Sequence, residues 1–157
     1  MINNKALVSF FLASLMTGCS PSVLPSANLN MVDVEKINQS GAFNDAALQQ
    51  YQADLSACGK GNEACQGKVM FSIYDTAFTS QGFSQIKTAI SYSKWMVQVG
   101  DMSPTRDDII ISQNWGQLLM GSFMCISHKE CSDWLLSEKK VTKNELDEFK
   151  ALVNKLN

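Results

Sequence analysis

Residues 44–79 read NDAALQQYQADLSACGKGNEACQGKVMFSIYDTAFT, and their periodicity decides the fold. Leu48, Tyr51, Leu55 and Cys58 recur at i, i+3, i+7 and i+10, the spacing of one face of an α-helix. Gly59 is suited to end that helix, because glycine adopts the left-handed conformation that follows a last helical turn. Asn62 is then placed to cap a second helix, with Cys65, Val69, Ile73 and Ala77 along one face. No apolar–polar alternation of the kind that marks a strand competes with this reading.

Working outward, the same pattern continues. Met31, Val34 and Ile37 indicate a short helix over residues 31–40, ended by Gly41. Phe83, Ile86, Ile90 and Val97 form a third stripe running to Gly100. Ser103-Pro104 then reads as a helix start, with proline at the first helical position and Asp107 and Asp108 in the first turn, where the helix dipole favours acids. Ile109 to Ile126 is apolar on several sides and is expected to run through the middle of the fold. Gly116 and Gly121 inside it cost roughly 1 kcal/mol each relative to alanine, so they point to close helix approach or a bend. A helix over residues 129–137 follows. The last begins at a Thr142-x-x-Glu145 capping box, with Val141 and Leu146 able to staple across its start. The expected fold class is all-α, a bundle of about five to six helices.

Of the 157 residues, 45% are hydrophobic and 18% charged, with a net charge of −2, a balance that suits one globular domain and lacks the basic footprint of a nucleic-acid binder. The N-terminus has a different character. Met1 to Lys5 carries a lysine and no acid, and Ala6 to Thr17 is a run of twelve mostly apolar and small residues. A transmembrane helix needs about 20 apolar residues, so this run reads as a secretory signal.

The exit of the run, Met16-Thr17-Gly18-Cys19, resembles the lipobox of bacterial lipoproteins: an aliphatic residue, a small residue, glycine or alanine, then cysteine. Met16 stands where leucine is commoner, and Thr17 where alanine or serine is. The resemblance implies that the sulfur of Cys19 receives a diacylglyceryl group, that the chain is cut before it, and that the new amine is often acylated. Two or more acyl chains give stable anchoring, where one is marginal. Ser20 in place of aspartate after the cysteine implies sorting to the outer membrane, with the domain expected to face the periplasm. The expected organisation is a signal peptide over residues 1–18, a tether over 19–30 rich in Pro, Ser and Asn, and a single helical domain over 31–157. Loss of Lys5 with the signal leaves twelve basic side chains against fifteen acidic ones.

Cys19 also accounts for the odd number of cysteines, five. The remaining Cys58, Cys65, Cys125 and Cys131 read as two disulfides in an oxidising compartment. Four cysteines permit three connectivities, and the C-x6-C and C-x5-C spacings favour the local pairs Cys58–Cys65 and Cys125–Cys131. Each would clip a helix–turn–helix corner and contribute about 2–2.5 kcal/mol through loop entropy.

Catalytic and metal-binding templates find little purchase. The only histidine is His128, in a turn between Cys125 and Cys131, at a spacing that matches no zinc pattern. There is no G-x-S-x-G elbow, and Gly61 to Lys68 departs from a phosphate loop in its glycine spacing and in Val69, where Ser or Thr is needed. The adjacent Asp107 and Asp108 read as helix-start residues, and Glu145 and Glu148 as a solvated helix end. The expectation is a protein without catalytic residues, metal or cofactor. Its expected partners are the membrane, through the lipid, and an unidentified periplasmic or outer-membrane protein. One form is an immunity or inhibitor protein against a periplasm-acting toxin or hydrolase, using the loop that carries Asp101, Arg106, Asp107 and Asp108. The alternative is a pilotin-like factor that escorts a secretion or envelope component to the outer membrane. A third form, a small-ligand carrier, calls for a pocket lined by methionine and tryptophan.

Overall fold

The computed structural model of the chain describes residues 33–100, 113 and 115–157. Seven helices have their bounds within them: α1 (Val34–Gln39), α2 (Asp45–Cys58), α3 (Glu63–Thr79), α4 (Gln85–Gly100), α5 (Met120–Ser127), α6 (Lys129–Ser137) and α7 (Lys143–Leu156). Among the described residues there is no strand, so the all-α expectation holds. None of these helices is long and apolar enough to cross a membrane.

Side-chain caps set most of the helix starts. Asp33 accepts from the backbone N–H groups of Glu35 and Lys36 at the head of α1. Asn44 accepts from Ala47 N at 2.8 Å and opens α2, and Asn62 does the same for α3 through Cys65 N at 3.2 Å. These bonds satisfy backbone donors that the first turn of a helix leaves unpaired. The capping box of α7 is complete: Glu145 N donates to Thr142 Oγ1, and Thr142 N donates back to Glu145 Oε2 at 2.8 Å. Val141 and Leu146, the two staple residues, are buried in the same apolar cluster.

Helices α3 and α5 pack as one pair and α4 and α7 as another, and the pairs share one core. Phe71 and Phe78 of α3, Trp95 of α4, Leu135 of α6 and Phe149 of α7 are its largest buried side chains. A smaller cluster of Ile37, Ala42 and Ala77 fastens α1 and the turn after it to α3. By contrast α2 buries no residue: Leu48 is 36% exposed, and Tyr51 and Leu55 are half-buried.

The crossing of α3 and α5 is made by two glycines. A Cβ built on Gly121 would lie 2.7 Å from the Met70 carbonyl oxygen and 2.9 Å from Phe71 Cα, both backbone atoms. One on Gly67 would lie 3.0 Å from Cys125 Cα. Backbone meets backbone here, with no side chain between. Among the described residues of the segment expected as one helix over 109–126, the helix is interrupted at Leu119. Residues 115–118 are helical, Leu119 departs to φ −99°, ψ 2°, and α5 begins after it at Met120, one residue before Gly121. Nor is the segment buried on every side, since Met120 is 44% exposed. Of the close approach and the bend that the sequence offered as alternatives, the contacts at Gly121 are the close approach.

Two outcomes follow from this architecture. Gly121→Ala pushes a methyl group into the α3 backbone and is expected to destabilise by about 1–3 kcal/mol, despite the higher helix propensity of alanine. Gly100→Ala, with nothing within 4 Å of the new Cβ, is expected to be neutral or slightly stabilising in the same urea titration. Unchanged stability for Gly121→Ala would contradict the backbone contact.

The second outcome concerns pH. The hydrogen bond from the Thr142 backbone holds the Glu145 carboxyl below the usual carboxylate range; burial opposes this, and the Thr142 hydroxyl and Lys87 assist it. A carboxyl depressed in the fold stabilises fully above its unfolded pKa, about 4.3, and loses that contribution as pH falls through the folded value. Glu145→Gln keeps the box geometry without the charge. It is expected to cost about 0.5–1 kcal/mol at neutral pH, in thermal unfolding, with the deficit shrinking below about pH 4. A deficit independent of pH would refute the charge argument.

Candidate functional site

Both local disulfides form. Cys58 is bonded to Cys65 with Cα atoms 5.5 Å apart, and Cys125 to Cys131 with Cα atoms 5.0 Å apart. They differ in setting. Cys125 and Cys131 have no exposed surface and lie at the α3–α5 crossing, whereas Cys58 and Cys65 are partly exposed at the α2–α3 corner. Cys19, Asp101, Arg106, Asp107 and Asp108 lie outside the described residues.

Two side-chain contacts link α3 to the second corner. His128 Nε2 lies 3.0 Å from Glu63 Oε2, and Lys68 Nζ donates to Glu130 Oε1 at 3.1 Å. His128 therefore joins the two corners. Cys125 and Cys131, which flank it, are bonded to each other instead of standing as thiolate ligands. Among the described residues no group of three or more His, Cys, Asp or Glu side chains converges.

The concave feature of interest is a groove of about 490 Å³ between α2 and α3, a volume in the range of small-ligand and peptide sites. Its floor is Val69 and Ile73 of α3; Tyr51 and Asp54 of α2 form one wall. Trp134 of α6 closes one part, its ring edge-on to Phe71 with centroids 6.1 Å apart, and residues 40–42 also border it. No methionine contributes to the lining, so the carrier pocket expected of methionine and tryptophan is not what this groove offers.

The polar groups of the groove are largely engaged. Gln50 Nε2 donates to Asp54 Oδ1 at 2.8 Å, Thr76 donates to the Ser72 carbonyl, and Lys68 is held by Glu130. Asp54 forms no ion pair among the described residues. Burial pushes the hydroxyl of Tyr51 above the ordinary tyrosine range. It does the same to Tyr74, which the Tyr51 charge raises further. Gln85 Oε1, Ser93 Oγ and Trp95 Nε1, buried polar atoms without hydrogen-bond partners among the described residues, all belong to α4, which does not line the groove.

Sequence reasoning did not find the groove. The one local signal was the thin stripe Leu48, Tyr51, Leu55 on a helix otherwise rich in glutamine and alanine, too narrow to seat a core helix. Comparison with protein-family models, curated proteins and solved structures gives no match to this chain.

The paired tyrosines make the seam testable. In an alkaline titration followed by tyrosinate absorbance, Tyr51→Phe is expected to lower the midpoint of Tyr74, because the repulsive phenolate is removed. An unmoved Tyr74 would show that α2 does not lie where the groove requires it.

Proposed function

We propose that this chain is a bacterial lipoprotein, anchored in the outer membrane through Cys19, whose helical domain faces the periplasm and binds a protein partner without catalysis. The observation that carries the reading is the cysteine pairing. Cys58–Cys65 and Cys125–Cys131 use four of five cysteines, and the one left over is Cys19, at the position the lipobox resemblance reserves for lipid. Disulfides form in the oxidising compartment to which a secretory signal delivers a chain.

Two partner classes follow from two surfaces. An immunity or inhibitor protein would meet its toxin or hydrolase through the loop bearing Asp101, Arg106, Asp107 and Asp108. A pilotin-like escort would instead take a segment of its client in a groove, the helix-in-groove mode, and the space between α2 and α3 favours this second reading. The complementary segment is amphipathic, with an apolar side toward Val69 and Ile73 and a basic residue toward Asp54, since the groove's own lysine is already neutralised by Glu130.

Cys19→Ser tests the anchor. Fatty-acid labelling is expected to disappear and the signal to stay uncleaved by the lipoprotein signal peptidase; a Cys19→Ser protein still processed and membrane-bound would overturn the assignment. Gene deletion separates the partner classes: sensitivity to a periplasmic toxin marks the inhibitor, and loss of a secretion channel from the outer membrane marks the escort.

A further inference from the structure

We propose that the Cys58–Cys65 disulfide is a redox-cleavable pin that holds α2 in place as a lid against α3, where it forms one wall of the groove. The lid is fastened at two ends and weakly between them. At its N-terminal end Ala42 is buried with Ile37 and Ala77, and the ring of Phe43 packs on Tyr74 with centroids 5.5 Å apart. At its C-terminal end the disulfide bonds it to the first turn of α3, beside an exposed hydrogen bond from Gln66 Nε2 to the Gly59 carbonyl at 3.3 Å. Between these ends α2 buries no residue. A helix that buries so little has little tertiary free energy to hold it in place.

The corner is built to move once the pin is gone. Gly59 and Gly61 both have positive φ, 79° and 83°, and a Cβ on either would meet nothing within 4 Å. This short glycine-flanked link would be the only covalent connection left at that end. Release of α2 would open Val69 and Ile73 of α3 and carry Asp54 away from them, so the pinned form is the one that offers the complete groove to a partner segment.

Accessibility sets the order in which the two disulfides react. A thiolate must reach a sulfur atom to exchange with it, and the partly exposed Cys58–Cys65 bond allows this. The Cys125–Cys131 bond has no exposed surface and sits where α3 and α5 touch, so it opens only with the core. The reaction is thiol–disulfide exchange with a dithiol reductant. One reductant thiolate attacks a sulfur and forms a mixed disulfide; its second thiol then closes the reductant's own disulfide. Cys58 and Cys65 gain two electrons and two protons as the reductant loses them. The relevance to partner binding rests on the groove reading above; movement of the lid is measured without it.

The test uses the full chain in detergent, treated with graded dithiothreitol, alkylated, and examined by peptide mass mapping and hydrogen exchange. Cys58 and Cys65 are expected to be alkylated first, with exchange across residues 45–58 accelerating about tenfold or more while α5 and α6 stay protected. A Cys58→Ser/Cys65→Ser variant in oxidising buffer is expected to show the same loss of protection in α2. Reduction of both disulfides in one step would overturn the proposal. So would unchanged α2 exchange after selective reduction, or in the double variant. None of these readings involves a partner, so failure of the lid and failure of the groove as a binding face are distinguished.

Discussion

Where α3 crosses α5, two backbones meet with no side chain between them, and the rest of the fold is arranged around that contact. Typical helix pairs keep their axes about 8–10 Å apart because side chains fill the interface. Here Gly67 and Gly121 remove that spacer, bringing Gly121 against the Met70 carbonyl and Gly67 against Cys125. Such an approach gains dispersion contact along the two backbones and tolerates no added methyl group. It also explains the position of the second disulfide. Cys125 is the α5 residue that Gly67 touches, and its bond to Cys131 turns the chain straight into α6. The Ser132 hydroxyl donates to the Ile126 carbonyl inside the same corner, so a backbone acceptor at the end of α5 is paired while it is buried.

Outside this centre the structure loosens by degrees. The α4–α7 pair is fastened by core aromatics and by ion pairs from Lys87 to Glu145 and from Lys94 to Glu148. α2 packs on α3, a helix with an Asn44 cap and a disulfide at its end but no buried residue. A helix that contributed only to stability would be expected to bury its apolar stripe; α2 leaves Leu48, Tyr51 and Leu55 half-covered or exposed beside the groove. This contrast, a rigid glycine-packed core beside a pinned outer helix, is the physical basis for reading α2 and α3 as the binding face.

Much of this was legible in the sequence because helix boundaries are local. Asn44, Asn62 and the Thr142–Glu145 box announce their helices within four residues, and the two short cysteine loops were the simplest pairing. Gly121 was half-legible: a glycine in an apolar helix signals that something comes close, but only the packed structure says that it is the backbone at Met70 and Phe71. The groove was not legible. Its floor comes from α3, its wall from α2 and its closure from Trp134 of α6, and no local pattern records that convergence. The Glu63–His128 pair was hidden for the same reason, since the two residues are far apart in sequence and His128 by itself reads only as a turn residue.

The central claim is that the α3 and α5 backbones are in van der Waals contact at Gly121, and a proton–proton distance measures this most directly. In an isotope-labelled sample, a strong nuclear Overhauser effect is expected between the α-protons of Gly121 and Phe71. Such effects require protons within about 5 Å, closer than backbones separated by side chains at ordinary helix spacing would bring them. Strong cross-peaks there would support the glycine crossing. Their absence, with Gly121 instead showing effects to side-chain methyl groups, would contradict it.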